Sequence, residues 1–280
     1  MKKILILAVI FFLTGRFIQA QDLISVADLA KDLKNSELII VSAELETEFE
    51  KVHITNAVNV SYKSFFKPGS VEGLMLPDDQ IAKLFGDQGI TEGKKIVVYD
   101  EGSMKYSGRV YWILKYLGAQ DVKVLNGGLE AWKAGRKPVT KNPSIIKKAS
   151  FIAKPNSSMI ASVDEVKASQ GKPNAIILDV REANEFKGLD GKSKGHIPGS
   201  VNIEHLSLLT AGIMKSKTDL EKVFAAQGVT KDKTIYLICS SGVRTGKVYL
   251  ALVKELGFSN VKVMNGGFNE WVALGNKIDK

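Results

Sequence analysis

The 280-residue chain holds a single cysteine, Cys239, and only three histidines. One cysteine cannot close an intramolecular disulfide, so the chain is not a disulfide-stapled scaffold. Three histidines without clustered cysteines or carboxylates argue against a zinc site, and no metal is expected. Long apolar runs are also missing: the stretch Ile4–Leu13 falls short of the ~20 residues that a membrane-spanning helix needs. There is no basic run interleaved with aromatics. The formal charge of +9 includes Lys2, Lys3 and Arg16; without them 36 basic and 30 acidic residues remain, a mild excess of +6. Scattered lysines of this kind read as a solvated surface rather than a nucleic-acid footprint, although a modest positive field would attract a small anion.

The first 20 residues carry two lysines, an apolar stretch and a terminal Ala20. This is the pattern of a secretory signal peptide, expected to be cleaved and to send the chain to the periplasm. Retention as an N-terminal anchor is the alternative, and no cysteine near Ala20 offers a lipid attachment point. An exported free thiol is exposed to oxidation, so Cys239 calls for a reason. The plain reading is a small buried hydrophobe. Its neighbours have to decide.

The remainder is one unit written twice. The segment from Lys94 to Trp132 lies over that from Asp232 to Trp271 at an offset of 139, without gaps from Ile96 onward. Upstream, VHITNAVNV from Val52 matches GHIPGSVNI from Gly195, and LIIVSAELETEF from Leu38 matches AIILDVREANEF from Ala175. The units are residues 21–141 and 159–280, joined by a linker, 142–158, that carries Pro, Ser and Asn and has lost the repeat's periodicity.

In the second unit, AIILDV (175–180) and TIYLIC (234–239) are short and uniformly apolar, as strands buried on both faces are. The stretch Thr245–Leu256 spaces its apolar residues for a helix, with Gly257 placed to cap it. Strands alternating with helices predict an α/β fold: two tandem domains, each a parallel sheet with helices on both faces.

Cys239 ends a buried strand and is followed by Ser240, Ser241, Gly242, Val243, Arg244 and Thr245 before the next helix. Ligands of open α/β sheets bind outside the carboxyl ends of strands. Such a loop can curl its N–H groups inward as an anion nest at a helix N-terminus, with Gly242 allowing the curvature. The amides, the helix dipole and Arg244 all favour thiolate over thiol.

CSSGVRT (239–245), together with LDVRE (178–182), GHIPGSVNI (195–203) and VKVMNGGFNEW (261–271) in the same order, resembles the signature segments of the two-domain rhodaneses. The resemblance covers the whole chain after residue 20. It implies a degenerate N-terminal domain, a catalytic C-terminal domain, and sulfur transfer from a small anionic donor to a thiophilic acceptor such as cyanide or a thiol, without metal or organic cofactor. Cys239 would carry the sulfur as a persulfide. Arg181 matches the family's donor-binding arginine; Arg244 is expected to stabilise substrate anion or persulfide; Asp179 is expected to support the site structurally. Asp100 stands in the place of Cys239 and cannot accept sulfur, so the first half is expected to be scaffold, with Asp100 solvated or ion-paired. His196 and its counterpart His53 are read as scaffold for the same reason.

One departure stands out. Where two-domain rhodaneses commonly have a second arginine, four residues after the one matching Arg181, this chain has Glu185, and Lys187, Lys192 or Lys194 would have to supply the charge. Thiosulfate is the favoured donor, because Arg244 adds a charge suited to a dianion; 3-mercaptopyruvate is the alternative. Phosphatase chemistry fits less well: Cys239 and Arg244 are separated by four residues, one fewer than in the loops of that class, and Thr245 occupies the arginine position. A persulfide carrier that serves a protein acceptor would share the same sequence features.

Overall fold

The computed structural model describes residues 22–69 and 71–280. The expected signal peptide lies outside the described residues. Two five-stranded parallel sheets form the framework. The first runs Leu23–Ile24, Asp121–Leu125, Lys95–Tyr99, Leu38–Ser42, Val58–Asn59. The second runs Ile160–Ala161, Val261–Met264, Thr234–Ile238, Ala175–Asp179, Val201–Asn202. The two orders are the same, element for element. The central strands are buried because both faces are covered, which is why they consist of Ile, Val and Leu rather than alternating with polar residues.

Smaller features repeat as well. His53 stacks on Phe49 with ring centroids 3.8 Å apart, and His196 stacks on Phe186 at the same distance. In each pair the histidine Nδ1 meets the stacked phenylalanine's own carbonyl. Trp132 and Trp271, both buried, donate Nε1–H to Pro138 O and Lys277 O. Residues that do the same packing in both halves are scaffold.

The expected helix after Cys239 begins as an α-helix, Thr245–Leu250, and continues as a π-helical turn over Ala251–Glu255. It packs across the domain interface against the corresponding helix of the first half, Lys105–Tyr116. Their closest approach is glycine on glycine: a Cβ on Gly246 would lie 2.0 Å from Gly108 O, and one on Gly108 would lie 2.5 Å from Lys247 N. The apolar cluster around these helices includes Val110, Trp112, Val248 and Leu252, so one core runs through both domains. The linker lies along the first domain, where Ala149 N donates to Gly86 O and Lys154 N to Leu117 O.

Candidate active site

Cys239 follows the strand Thr234–Ile238 directly and is buried, 1% exposed. Its carbonyl accepts from Phe268 N at 2.8 Å, and that of Ser240 from Asn269 N at 3.0 Å, which ties the loop to the helix Gly267–Ala273. Gly242 adopts φ +73°, a left-handed conformation that favours glycine. A Cβ there would lie 2.2 Å from Asn265 O. Thr245 closes the turn by donating Oγ1–H to Gly242 O at 2.8 Å.

The first half shows what this loop is shaped to hold. Asp100 is neither solvated nor ion-paired, contrary to expectation. It is buried, and its carboxylate accepts N–H bonds from Gly102 and Met104 at 3.1 Å, Tyr106 at 2.9 Å and Ser107 at 3.0 Å. The reason is the nest itself: convergent amides satisfy the buried carboxyl group without a direct salt bridge, although burial and the neighbouring Glu101 raise its pKa. Its loop is pinned like the Cys239 loop, with Leu129 N on Asp100 O and Glu130 N on Glu101 O. At the offset of 139 the same four amides belong to Ser241, Val243, Thr245 and Gly246.

Two cavities flank the Cys239 loop. One, about 410 Å³, lies between the domains and is walled by Tyr62, Lys105, Tyr106, Ser241, Val243 and Arg244 among others. The other, about 590 Å³, is walled by Ser240, Arg181, Lys192, Lys194 and Phe268 among others. Lys187 is not among its lining residues. The corresponding cleft of the first half, about 780 Å³, is lined instead by Glu101, Glu130, Leu206, Leu209 and Ile213 among others. It offers carboxylates and apolar surface without a cation, whereas the cavity beside Ser240 sets Arg181, Lys192 and Lys194 against Glu72, Glu185 and Asp190.

Arg181 is wholly buried. It donates from Nη2 to Asp179 Oδ2 at 2.6 Å and to Gly195 O at 2.9 Å, and its guanidinium lies 4.1 Å from the Phe268 ring centroid. Asp179 also accepts from Arg181 N at 3.0 Å and so fixes the arginine's backbone and side chain together. Nη1 of Arg181 is buried without a hydrogen-bond partner. A guanidinium with one open donor beside a cavity that also presents Lys192 and Lys194 can anchor one oxygen of an anion.

Arg244 is placed differently from its expected role. Its guanidinium is held by the carboxylates of Glu182 and Glu185 and by Ser240 Oγ at 2.7 Å, which in turn donates to Glu185 Oε1 at 3.1 Å. Two carboxylates surround one cation, so Arg244 brings no net positive charge to the loop. Glu182 also accepts from His205 Nε2 at 3.1 Å. Burial, Lys247 and Arg244 push the His205 imidazole down to about 3 against the pull of Glu182, so it is neutral and serves as a hydrogen-bond donor. Among the described residues no group of three metal-ligating side chains converges.

A family model of the rhodanese-like domain matches residues 25–135 and again 162–274. The chain belongs to the rhodanese family. Curated relatives include the 3-mercaptopyruvate sulfurtransferase of Escherichia coli K12, 29% identical over 88% of this chain and 92% of that one. The thiosulfate sulfurtransferase of Azotobacter vinelandii is 32% identical, again with 88% and 92% coverage. The crystal structure of SseA from Escherichia coli, described as a 3-mercaptopyruvate sulfotransferase, superposes with a TM-score of 0.82 at 27% identity, covering 89% of this chain and 99% of that one. The rhodanese fold and sulfurtransferase family are therefore those expected from the sequence, with relatives on both sides of the donor division.

Sequence reasoning missed the residues that reach the loop from elsewhere. Arg109, in the first domain, donates to Gly242 O, and Glu182 and Glu185 capture Arg244. Arg109 left one trace: it lies on a helix and aligns with the apolar Val248.

Proposed function

We propose that this chain moves a sulfane sulfur from thiosulfate to a thiophilic acceptor through a persulfide on Cys239. The observation that carries the reading is the place of Cys239 in a loop whose twin holds the Asp100 carboxylate in four amides. A cradle of four amides that converge on one buried acceptor group suits a thiolate and then a persulfide.

The thiolate attacks the outer sulfur of thiosulfate. A new S–S bond forms, the S–S bond of the donor breaks, and sulfite leaves with the electron pair. The acceptor, cyanide or a thiolate, then attacks the terminal sulfur and returns Cys239 to thiolate. Arg181 Nη1, Lys192 and Lys194 would receive the donor's sulfonate oxygens. Asp179 keeps Arg181 in place. The amides of Ser241, Val243, Thr245 and Gly246 hold the persulfide.

A specific observation favours 3-mercaptopyruvate as the second reading: the charge of Arg244, which argued for a dianion, is neutralised by Glu182 and Glu185. Mass spectrometry after incubation with each donor tests the reading. Thiosulfate should add one sulfur to the wild type, cyanide should remove it, and Cys239→Ser should abolish both. Wild type that gains no sulfur from either donor overturns the proposal, and kcat/KM for the two donors in one assay decides between them. Export to the periplasm belongs to the same proposal, and cell fractionation tests it.

A further inference from the structure

The catalytic loop receives a cation from the opposite domain. Arg109 projects from the helix Lys105–Tyr116 and is wholly buried. It donates from Nη1 to Gly242 O at 3.1 Å and from Nη2 to Asn265 Oδ1 at 2.7 Å and Gly73 O at 3.4 Å. Each of these acceptors is neutral. Among the described residues no carboxylate forms an ion pair with Arg109, and its Nε is buried without a partner. Burial pulls the guanidinium down to about 10, which leaves it protonated at neutral pH, and the charge of Cys239 acts in the opposite sense. Buried charges are normally paired.

The other half contains the same arrangement in reverse. Lys247, also wholly buried, crosses the interface from the catalytic domain and donates to Ser103 O at 2.7 Å. Ser103 is the counterpart of Gly242 at the offset of 139. Each domain thus presents a buried cation to the same carbonyl of the other domain's loop. For Lys247, burial lowers the ammonium pKa to about 8, and the Asp100 and Glu101 carboxylates oppose that fall. In the catalytic half the position of Asp100 is taken by Cys239.

We propose that Arg109, carried by the non-catalytic domain, is a positioning residue that fixes the Gly242 carbonyl at the turn of the loop and acts as counter-ion to the sulfur anion on Cys239. The fixing of Gly242 stands on the hydrogen bonds of Arg109, the counter-ion role adds the charge interaction between Arg109 and Cys239, and the persulfide part rests on the proposed sulfur transfer. The first domain then completes the active site as well as walling it.

The test compares Arg109→Met and Arg109→Lys with Lys247→Met, which removes an equally buried interface cation from the carbonyl of the non-catalytic loop. The readouts are the iodoacetamide alkylation rate of Cys239 at pH 7 and the steady-state constants with thiosulfate. R109M is expected to slow alkylation about ten-fold and lower kcat similarly, with KM changing less than about two-fold; R109K should recover most of the alkylation rate. K247M should destabilise the fold yet alkylate within about two-fold of wild type. Wild-type alkylation in folded R109M overturns the proposal, as does an equal fall in R109M and K247M. Should R109M not fold, Asn265→Ala takes its place by removing the guanidinium's 2.7 Å anchor: slower alkylation supports the proposal and an unchanged rate overturns it. Alkylation needs no sulfur donor, so a wild type that alkylates normally but never loads sulfur sinks the proposed function and leaves the role of Arg109 standing.

Discussion

Arg244 donates from Nη2 to Glu185 Oε1 at 2.9 Å, with the Glu185 side chain only 17% exposed. Glu185 occupies the position where two-domain rhodaneses commonly have an arginine, and the carboxylate that stands there is joined to the arginine of the loop in one ion pair. The pair is half-buried and bidentate, which makes it stronger than an exposed surface bridge.

Glu185→Gln should release this restraint. With one carboxylate removed, Arg244 regains part of its charge, and KM for thiosulfate is expected to fall roughly three- to ten-fold, more than KM for 3-mercaptopyruvate, because the dianion gains more from each added positive charge. Steady-state kinetics with both donors measure this. Unchanged constants would mean that Arg244 faces away from the donor in either state.

Asp100→Ala leaves four N–H groups without an acceptor, two of them buried (Met104 and Ser107) and two half-buried (Gly102 and Tyr106). The expected loss is roughly 2–4 kcal/mol of stability, measured by urea unfolding. Sulfur loading of Cys239 per folded molecule should persist, since Asp100 belongs to the other loop. A loss of loading in folded D100A would show the two loops to be coupled.

Gly246→Ala tests the glycine contact between domains. Its Cβ would lie 2.0 Å from Gly108 O, a backbone atom that cannot rotate away. The helices must separate, at a cost of about 3 kcal/mol or more. A thermal shift of under about 2 °C would imply that the interface adapts at little cost.

Glu44 contributes a pH dependence. Burial, with the neighbouring Glu101 and Asp100 carboxylates adding to it, raises the Glu44 carboxyl from 4.5 to about 8. Between those values the folded state binds a proton that the unfolded chain has released, so stability contributed by the protonated carboxyl is full below about pH 4.5 and is lost as pH rises towards 8. Glu44→Gln mimics the protonated form. Wild type should therefore fall behind E44Q by on the order of 1–2 kcal/mol between pH 5.5 and 8, after discounting for partial solvent exposure. Denaturant midpoints at the two pH values check it; parallel behaviour would place Glu44 among ordinary surface carboxylates.

Much of this was legible along the chain. The offset between Asp100 and Cys239 located both loops, and uniformly apolar runs marked the strands because a sheet covered on both faces has no side that demands polar residues. The lone cysteine was legible at a strand end, where the structure places it. The fate of Asp100 was misread, since the sequence displays a charged side chain but not the four amides that converge on it.

The sequence by itself determined the duplicated fold and the equivalent strand-end places of Asp100 and Cys239, because these rest on periodicity and residue identity. Only the tertiary structure decided which charges are available to the sulfur. Arg244 lies in the loop but is neutralised by Glu182 and Glu185, whereas Arg109, in the other domain and 133 residues before Gly242, reaches the Gly242 carbonyl. Electrostatic influence depends on distance and burial, and neither can be read from position in the chain.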